Sequence, residues 1–201
     1  MLVAGSKLAG YPVLSLHVGG EIARTKEPII DPDGLKIIGY KLEGPLIGSE
    51  VGDILDVNSV REFAASGMIV DSSDEFANRG DIVRMDKVMD LNFKLVGLKV
   101  VTENGKNLGK VGDYTVDADS FTIYQLIVRR PVLKSLLDPE LTINRSQIIE
   151  VDDYKITVKN EEEKVTVEEK VKDFKPNFVN PFREPQFSQI QSQSPDEPDT
   201  E

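Results

Sequence analysis

Short runs of alternating apolar and polar residues, separated by turn formers, make up most of the chain. In the first part they occupy residues 11–16, 21–30, 35–42, 53–57 and 68–70, and further on residues 99–102, 107–116, 122–129, 140–144, 148–151 and 155–159. Many β-branched strands at intervals of about 8–12 residues favour a small barrel or sandwich over a parallel α/β sheet. The pattern therefore predicts an all-β fold. Helix is expected to be minor, with candidates at residues 59–65, 145–147 and 165–174.

The two sets of strands match each other when the chain is shifted by 86 residues. The aligned positions are Ile30, Asp31, Asp33, Leu35 and Ile37 with Val116, Asp117, Asp119, Phe121 and Ile123, then Leu55, Val57, Asn58, Phe63 and Val70 with Leu141, Ile143, Asn144, Ile149 and Ile156. At the front, Leu8, Gly10 and Val13 match Leu95, Gly97 and Val100 at a shift of 87. Such self-similarity is typical of a duplicated unit. We therefore expect two copies of one small domain, residues 1–88 and 89–160.

The remaining residues differ in composition from the two predicted copies. Residues 161–174 form a charged extension whose pattern allows a helix. Residues 175–201 are rich in Pro, Gln, Ser and acids, a composition that predicts a disordered acidic tail.

One stretch of the second copy resembles a known family. The pattern runs Gly97-x-Lys99-Val100-Val101, then Asn104-Gly105-Lys106-x-Leu108-Gly109-Lys110-Val111-Gly112-Asp113, then Val116-Asp117-x-Asp119. This strand, hairpin and strand resemble the PRC-barrel family over about residues 90–160, and residues 6–88 join only through the repeat. The resemblance implies two tandem SH3-like barrels of five or six strands each. The family serves as an interaction module in reaction-centre H subunits, an rRNA-processing factor and archaeal division proteins, with no shared catalytic residues.

Composition removes several classes of chemistry. The chain has no Cys and only one His, which excludes disulfides, thiolate catalysis, Cys-based zinc sites and multi-His metal sites. The formal net charge of −11 disfavours generic nucleic-acid binding. We expect no metal and no cofactor. No run resembles a secretory signal or a membrane span, which leads to the expectation of a cytoplasmic protein.

Three motifs suggest chemistry but have simpler explanations. Asp31 and Asp33, like Asp117 and Asp119, could begin a calcium loop, yet Asx turns account for both pairs. The Gly105-to-Lys110 segment lacks the P-loop spacing; Gly105 is expected to close a hairpin and Gly109 to mark a bulge. His17 is read as an ordinary residue at the end of a strand.

Two sets of residues are the candidate partner-binding sites. Arg129, Arg130 and Lys134 surround apolar residues at the end of a strand, in the copy that also holds Lys94, Lys99, Lys106, Lys110 and Arg145. Residues 89–160 carry ten basic and ten acidic side chains, whereas residues 1–88 and 161–201 are net acidic. A solvated rim and an anion-facing patch both remain open for these cations. In the tail, Phe178, Phe182 and Phe187 are expected to act as docking anchors.

Three functions follow from these observations. The first is a non-catalytic module that binds a protein partner through barrel rims and tail. The alternative is an RNA-processing or ribosome-maturation factor that uses a basic rim on the second barrel, and an enzyme with a cryptic carboxylate pair is the third. Exposed strand edges leave a homo-oligomer open.

Overall fold

A computed structural model describes residues 1–48, 51–130 and 139–160. In the first half, defined as residues 1–88, the strands are β1 (Leu2–Ala4), β2 (Pro12–Ser15), β3 (Gly20–Asp31), β4 (Lys36–Glu43), β5 (Ile54–Asp56), β6 (Glu62–Ala64), β7 (Gly67–Val70) and β8 (Phe76–Ala77). The helix α1 (Val83–Asp90) begins in the first half and ends two residues into the second. In the second half, residues 89–160, the strands are β9 (Lys99–Thr102), β10 (Asn107–Asp117), β11 (Thr122–Arg129), β12 (Glu140–Asn144), β13 (Ile148–Val151) and β14 (Lys155–Val158). The described part of the chain is mostly β, as predicted.

The strands pair in the same order in both halves. In the first half β6, β7, β2, β3, β4 and β5 follow one another across the sheet, and in the second half β13, β14, β9, β10, β11 and β12 do so. The pairs β2–β7 and β9–β14 are parallel, and the other neighbours in these two series are antiparallel. Each half therefore has the same connectivity.

The halves meet along β4 and β11 in a two-fold arrangement. The Ile37 amide donates to the Phe121 carbonyl and the Ile123 amide donates to the Leu35 carbonyl, both at 2.9 Å. Each of these bonds becomes the other when residue n is exchanged for n + 86. Leu35 and Phe121 both have a positive φ, 40° and 55°, which is rare for side chains of this size.

The 86-residue register holds through β3–β4 and β10–β11 but not beyond. Gly39 pairs with Asp56 and Gln125 pairs with Asn144, so the shift between β5 and β12 is 88. The five matches predicted beyond this point are therefore wrong, namely Leu55 with Leu141, Val57 with Ile143, Asn58 with Asn144, Phe63 with Ile149 and Val70 with Ile156. The partners by strand pairing are Leu55 with Ile143, Phe63 with Val151 and Val70 with Val158. Counted between equivalent pairs, the chain advances 13 residues from Lys41 to its partner Ile54 but 15 residues from Ile127 to its partner Thr142.

One apolar core spans both halves, and the described residues, up to 160, belong to one compact unit. Tyr11 stacks on Phe63 at a centroid distance of 5.1 Å, and Phe63 meets Phe121 edge-on at 6.3 Å. β1 comes from the first half but pairs with β10 of the second. Within the described residues, therefore, a strand of the first half is part of the sheet of the second.

Of the helical predictions, one is confirmed, one is wrong and one lies outside the described residues. Arg145–Gln147 is a 3₁₀ turn, as expected. Residues 59–65 contain the strand β6 instead of a helix, because Glu62, Phe63 and Ala64 pair with β7. The helix α1 was not predicted; it places Met85 on a small cluster with Ile29, Ile38 and Ile54. Residues 165–174 lie outside the described part, and no helix within that part is long and apolar enough to cross a membrane.

Candidate partner-binding surface

The two predicted arginines lie at the end of β11, beside a groove of about 560 Å³. The groove is lined by cations, glycines and apolar residues, namely Val96, Gly97, Lys99, Asn107, Gly109, Lys110, Val111, Gly112, Arg129 and Arg130. None of these described lining residues carries a carboxylate. Lys134, Phe178, Phe182 and Phe187 lie outside the described residues.

Four basic residues stand in direct register across four adjacent strands of the second half. Lys155 of β14 pairs with Lys99 of β9, Lys99 with Lys110 of β10, and Lys110 with Arg129 of β11. Residues directly opposite each other share one face of a sheet. At about 4.8 Å between strands, the four positions span roughly 14 Å. We call Lys155, Lys99, Lys110 and Arg129 the cation row.

This arrangement works against folding. Like charges directly opposite each other destabilise a pair of strands by a fraction of a kcal/mol up to about 1 kcal/mol, and the row contains three such pairs. All four residues are exposed. Within the described residues, neither Lys99 nor Lys110 forms an ion pair.

Carboxylates stand at both ends of the cation row. Glu140 of β12 pairs with Arg129 in the same register, and Asp152 lies 3.9 Å from the Lys155 ammonium. The amide of Tyr154 donates to the Asp152 carboxylate and lowers its pKa, helped by the amide of Lys155. The positively charged surface is therefore limited to the four strands of the cation row.

A glycine makes room for Arg129. Gly112 forms a β-bulge in β10, and a Cβ there would lie only 2.7 Å from the Arg129 Nε. The counterpart of this bulge in β3 carries Lys26, so the backbone conformation itself accepts a side chain. The Arg129 side chain lies across Gly112, so a side chain at position 112 would require Arg129 to move.

The first half has no cation row at the equivalent positions. Strand pairing places Gly67, Pro12, Arg24 and Glu43 where the second half has Lys155, Lys99, Lys110 and Arg129. Arg24 forms an ion pair with Glu21 at 2.6 Å and donates to the Gly10 carbonyl at 2.9 Å. The shared backbone does not demand the row, which is a property of the second half alone.

The other basic residues of the second half serve different purposes. Arg145 donates to the carbonyls of Gly34 at 2.6 Å, Leu35 at 3.3 Å and Ile123 at 3.4 Å, which ties the halves together. Lys94 lines a different pocket, beside Pro28 and Tyr114. Sequence reasoning missed Lys155 altogether. It also missed the pairing of Lys110 with Arg129. Counting seven residues back along β10 from Asp117 and seven forward along β11 from its partner Thr122 gives this pair, since each strand contains one bulge and the two offsets cancel.

The motifs with simpler explanations behave as turns. The Asp33 amide donates to the Asp31 carboxylate at 3.2 Å, and the Asp119 amide donates to the Asp117 carboxylate at 3.5 Å. Gly105, at φ 77°, closes the β9–β10 hairpin, and Gly109 lies at a bulge where a Cβ would meet the Arg129 carbonyl. The predictions of Asx turns, hairpin and bulge are confirmed.

His17 and the carboxylates show no gathered site in the described part of the chain. His17 follows β2 and donates its amide to the Asp71 carbonyl at 3.0 Å. No group of three or more His, Cys, Asp or Glu residues capable of holding a metal occurs between residues 1 and 160, with 49–50 and 131–138 not covered.

Comparison with models of known protein families gave a match that begins at the start of the second half. Residues 89–172 match the model of the PRC-barrel domain, which confirms the family resemblance for that stretch. The match does not extend to residues 1–88. A search of curated proteins gave no match.

Proposed function

We propose that this protein is a non-catalytic interaction module that docks a partner protein through the cation row. The observation that carries the proposal is the direct register of four basic residues over four strands. Such a row costs folding stability, and the first half shows that the same strand pairing does not require it. An oppositely charged partner compensates that cost when it binds.

The proposal includes a second, divergent PRC-type barrel in residues 1–88, so that the two barrels stand in tandem. It is supported by the identical strand pairing, by the bulges at Lys26 and Gly112, and by the positive φ of Leu35 and Phe121. The first copy differs in carrying no cation row. We therefore assign docking to the second copy and support of its fold to the first.

A second candidate is binding to RNA, which the same cations would favour through phosphate contacts. Two observations weigh against it. Single-stranded nucleic acid is usually held by aromatic stacking platforms, and none of the described residues lining the groove is aromatic. The chain as a whole carries a net charge of −11.

Comparative capture from the native cell extract tests the proposal. The wild type is compared with Lys99→Glu/Lys110→Glu and with Lys26→Glu/Lys87→Glu, a control that changes the net charge equally but lies in the first half. We expect at least one protein to be retained by the wild type and the control but lost by the row variant. If the three forms retain the same proteins in the same amounts, the cation row is not a docking surface.

A further inference from the structure

We infer that the partner of the cation row is a short acidic segment of about four residues, in extended conformation, followed by an apolar side chain. The inference rests on the proposed function and adds the chemistry and length of the bound segment. It comes from the geometry of the row, its two ends, and the groove beside it.

The length follows from the spacing of the strands. The row spans roughly 14 Å, and an extended peptide advances about 3.4 Å per residue, so about four residues cover it. Lysine and arginine side chains are long enough to reach carboxylates on a segment that crosses the strands. Bidentate pairing is available at Arg129, whose guanidinium lies over Gly112.

The two ends limit the length of the anion. An anionic chain that continued past Arg129 would meet Glu140, and one that continued past Lys155 would meet Asp152. The Debye length is about 8 Å at physiological ionic strength, so these carboxylates repel charges close to them. A long polyanion such as RNA gains from only a few phosphates here, whereas a short acidic segment ends where the row ends.

The groove adds a preference for an apolar neighbour. Val96 exposes 53% of its surface and lines the groove together with Val111 and the glycines Gly97 and Gly109. Gly97 is exposed and has no atom near its Cβ position, which leaves its backbone open to close approach. An apolar side chain that covers Val96 removes apolar surface from water. The combination of carboxylates and one apolar residue fits a peptide better than a phosphate backbone or a lipid headgroup.

Fluorescence polarisation with the full-length protein tests this inference. The probe is a fluorescein-labelled peptide of four glutamates followed by a leucine, and its control has glutamines in place of the glutamates. We expect saturable binding of the acidic peptide that weakens as salt is raised, and no binding of the glutamine peptide. Lys99→Glu/Lys110→Glu should weaken binding by about tenfold or more, since it reverses two contacts with charged groups.

Two further variants separate the row from general charge and from misfolding. Lys26→Glu/Lys87→Glu should bind like the wild type, because its equal charge change lies in the first half. Gly112→Ala should displace the Arg129 guanidinium and weaken binding by a few fold, whereas Lys26→Ala at the matching bulge should leave binding unchanged. Thermal unfolding of each variant shows whether it is folded.

Three outcomes would overturn the inference. They are no binding of the acidic peptide at millimolar concentration, equal losses in the row variant and the first-half control, and tighter row-dependent binding of oligouridylate or of vesicles containing anionic lipid. Failure of the peptide together with row-dependent capture of a protein from extract would reject the acidic segment and leave the proposed function standing. Failure of both experiments would reject both.

Discussion

At the residue scale, the buried hydroxyl of Tyr40 is an unusual feature of the core. Tyr40 is 1% exposed, and its hydroxyl has no hydrogen-bond partner among the described residues. An unsatisfied buried hydroxyl costs about 1–3 kcal/mol. A phenylalanine of the same shape would remove this cost.

We therefore expect Tyr40→Phe to raise the free energy of unfolding by about 1 kcal/mol. Urea denaturation monitored by circular dichroism measures the change. Tyr124→Phe is the matched control. Because Tyr124 is 50% exposed, this substitution should hardly change the free energy of unfolding. A loss of stability in Tyr40→Phe would mean that the hydroxyl has a partner in solution.

A second buried tyrosine predicts a response to alkaline pH. Burial, assisted by the nearby charge of Asp113, raises the pKa of Tyr114 to about 12. Burial also raises the pKa of Tyr40, and the neighbouring Tyr114 raises it further. Ionisation near pH 10 is then available to the unfolded chain but not to the folded one.

Tyr114 should therefore contribute no pH dependence to the free energy of unfolding below about pH 10. Between about pH 10 and 12 the free energy of unfolding should fall as pH rises. The contribution of Tyr114 to this fall is about 2–3 kcal/mol. Tyr114→Phe should show a smaller decrease over the same window. Tyr154→Phe, at an 84% exposed position, should follow the wild type. Parallel curves for Tyr114→Phe and wild type would show that Tyr114 ionises normally in the folded protein.

At the scale of single elements, α1 packs on the sheet chiefly through Met85, with Val88 and Met89 partly buried against the same cluster. Met85 is 3% exposed and contacts Ile29, Ile38 and Ile54 on the outer face of the first half. Gly39 leaves room for it, since a Cβ there would lie 2.8 Å from the Met85 Cε. Because α1 has only eight residues, its stability comes from this contact more than from helix propensity.

Met85→Ala is expected to lower the free energy of unfolding by about 2–3 kcal/mol, the lower part of the range for large-to-small changes in cores. Val83→Ala in the same helix should cost under about 0.5 kcal/mol, because Val83 is 68% exposed. Equal effects of the two substitutions, measured by chemical denaturation, would mean that α1 is not held by Met85.

The strands were predictable and α1 was not, for physical reasons. Lys99–Thr102, Thr122–Arg129, Glu140–Asn144 and Ile148–Val151 have the predicted limits, because alternation and Asx turns act locally. The helix is short and charged, with only Met85 fully buried, which leaves little periodic signal.

The repeat was recognised, but its register was predicted only in part. A shift of two residues in a strand keeps every side chain on the same face, so apolar matches at 86 and at 88 look equally good. Only the strand pairing distinguishes Leu55 from Val57 as the counterpart of Ile143. The incorrect match of Phe63 with Ile149 shows this, because Ile149 is 47% exposed whereas Phe63 is half-buried.

At the scale of the whole molecule, Arg145 adds side-chain hydrogen bonds to the junction between the halves. Its guanidinium accepts no hydrogen bonds and donates to three carbonyls, those of Gly34 and Leu35 in the first half and Ile123 in the second. These carbonyls lie at the two-fold junction of β4 and β11. The counterpart of Arg145 in the first half is Val57, so this connection is made from one side only.

We predict that Arg145→Met loosens the junction, because it removes charged donors while retaining a long apolar stem. The free energy of unfolding should fall by about 2 kcal/mol. Exchange of the Ile37 and Ile123 amides, which cross the junction, should accelerate more than exchange of Val13 and Val100 amides within the halves. Arg84→Met is the control: Arg84 pairs with Asp31 at 3.3 Å but is 70% exposed, and such pairs contribute under about 1 kcal/mol. If the junction amides keep their protection in Arg145→Met, the two halves are held by the shared core and the β4–β11 hydrogen bonds without help from Arg145.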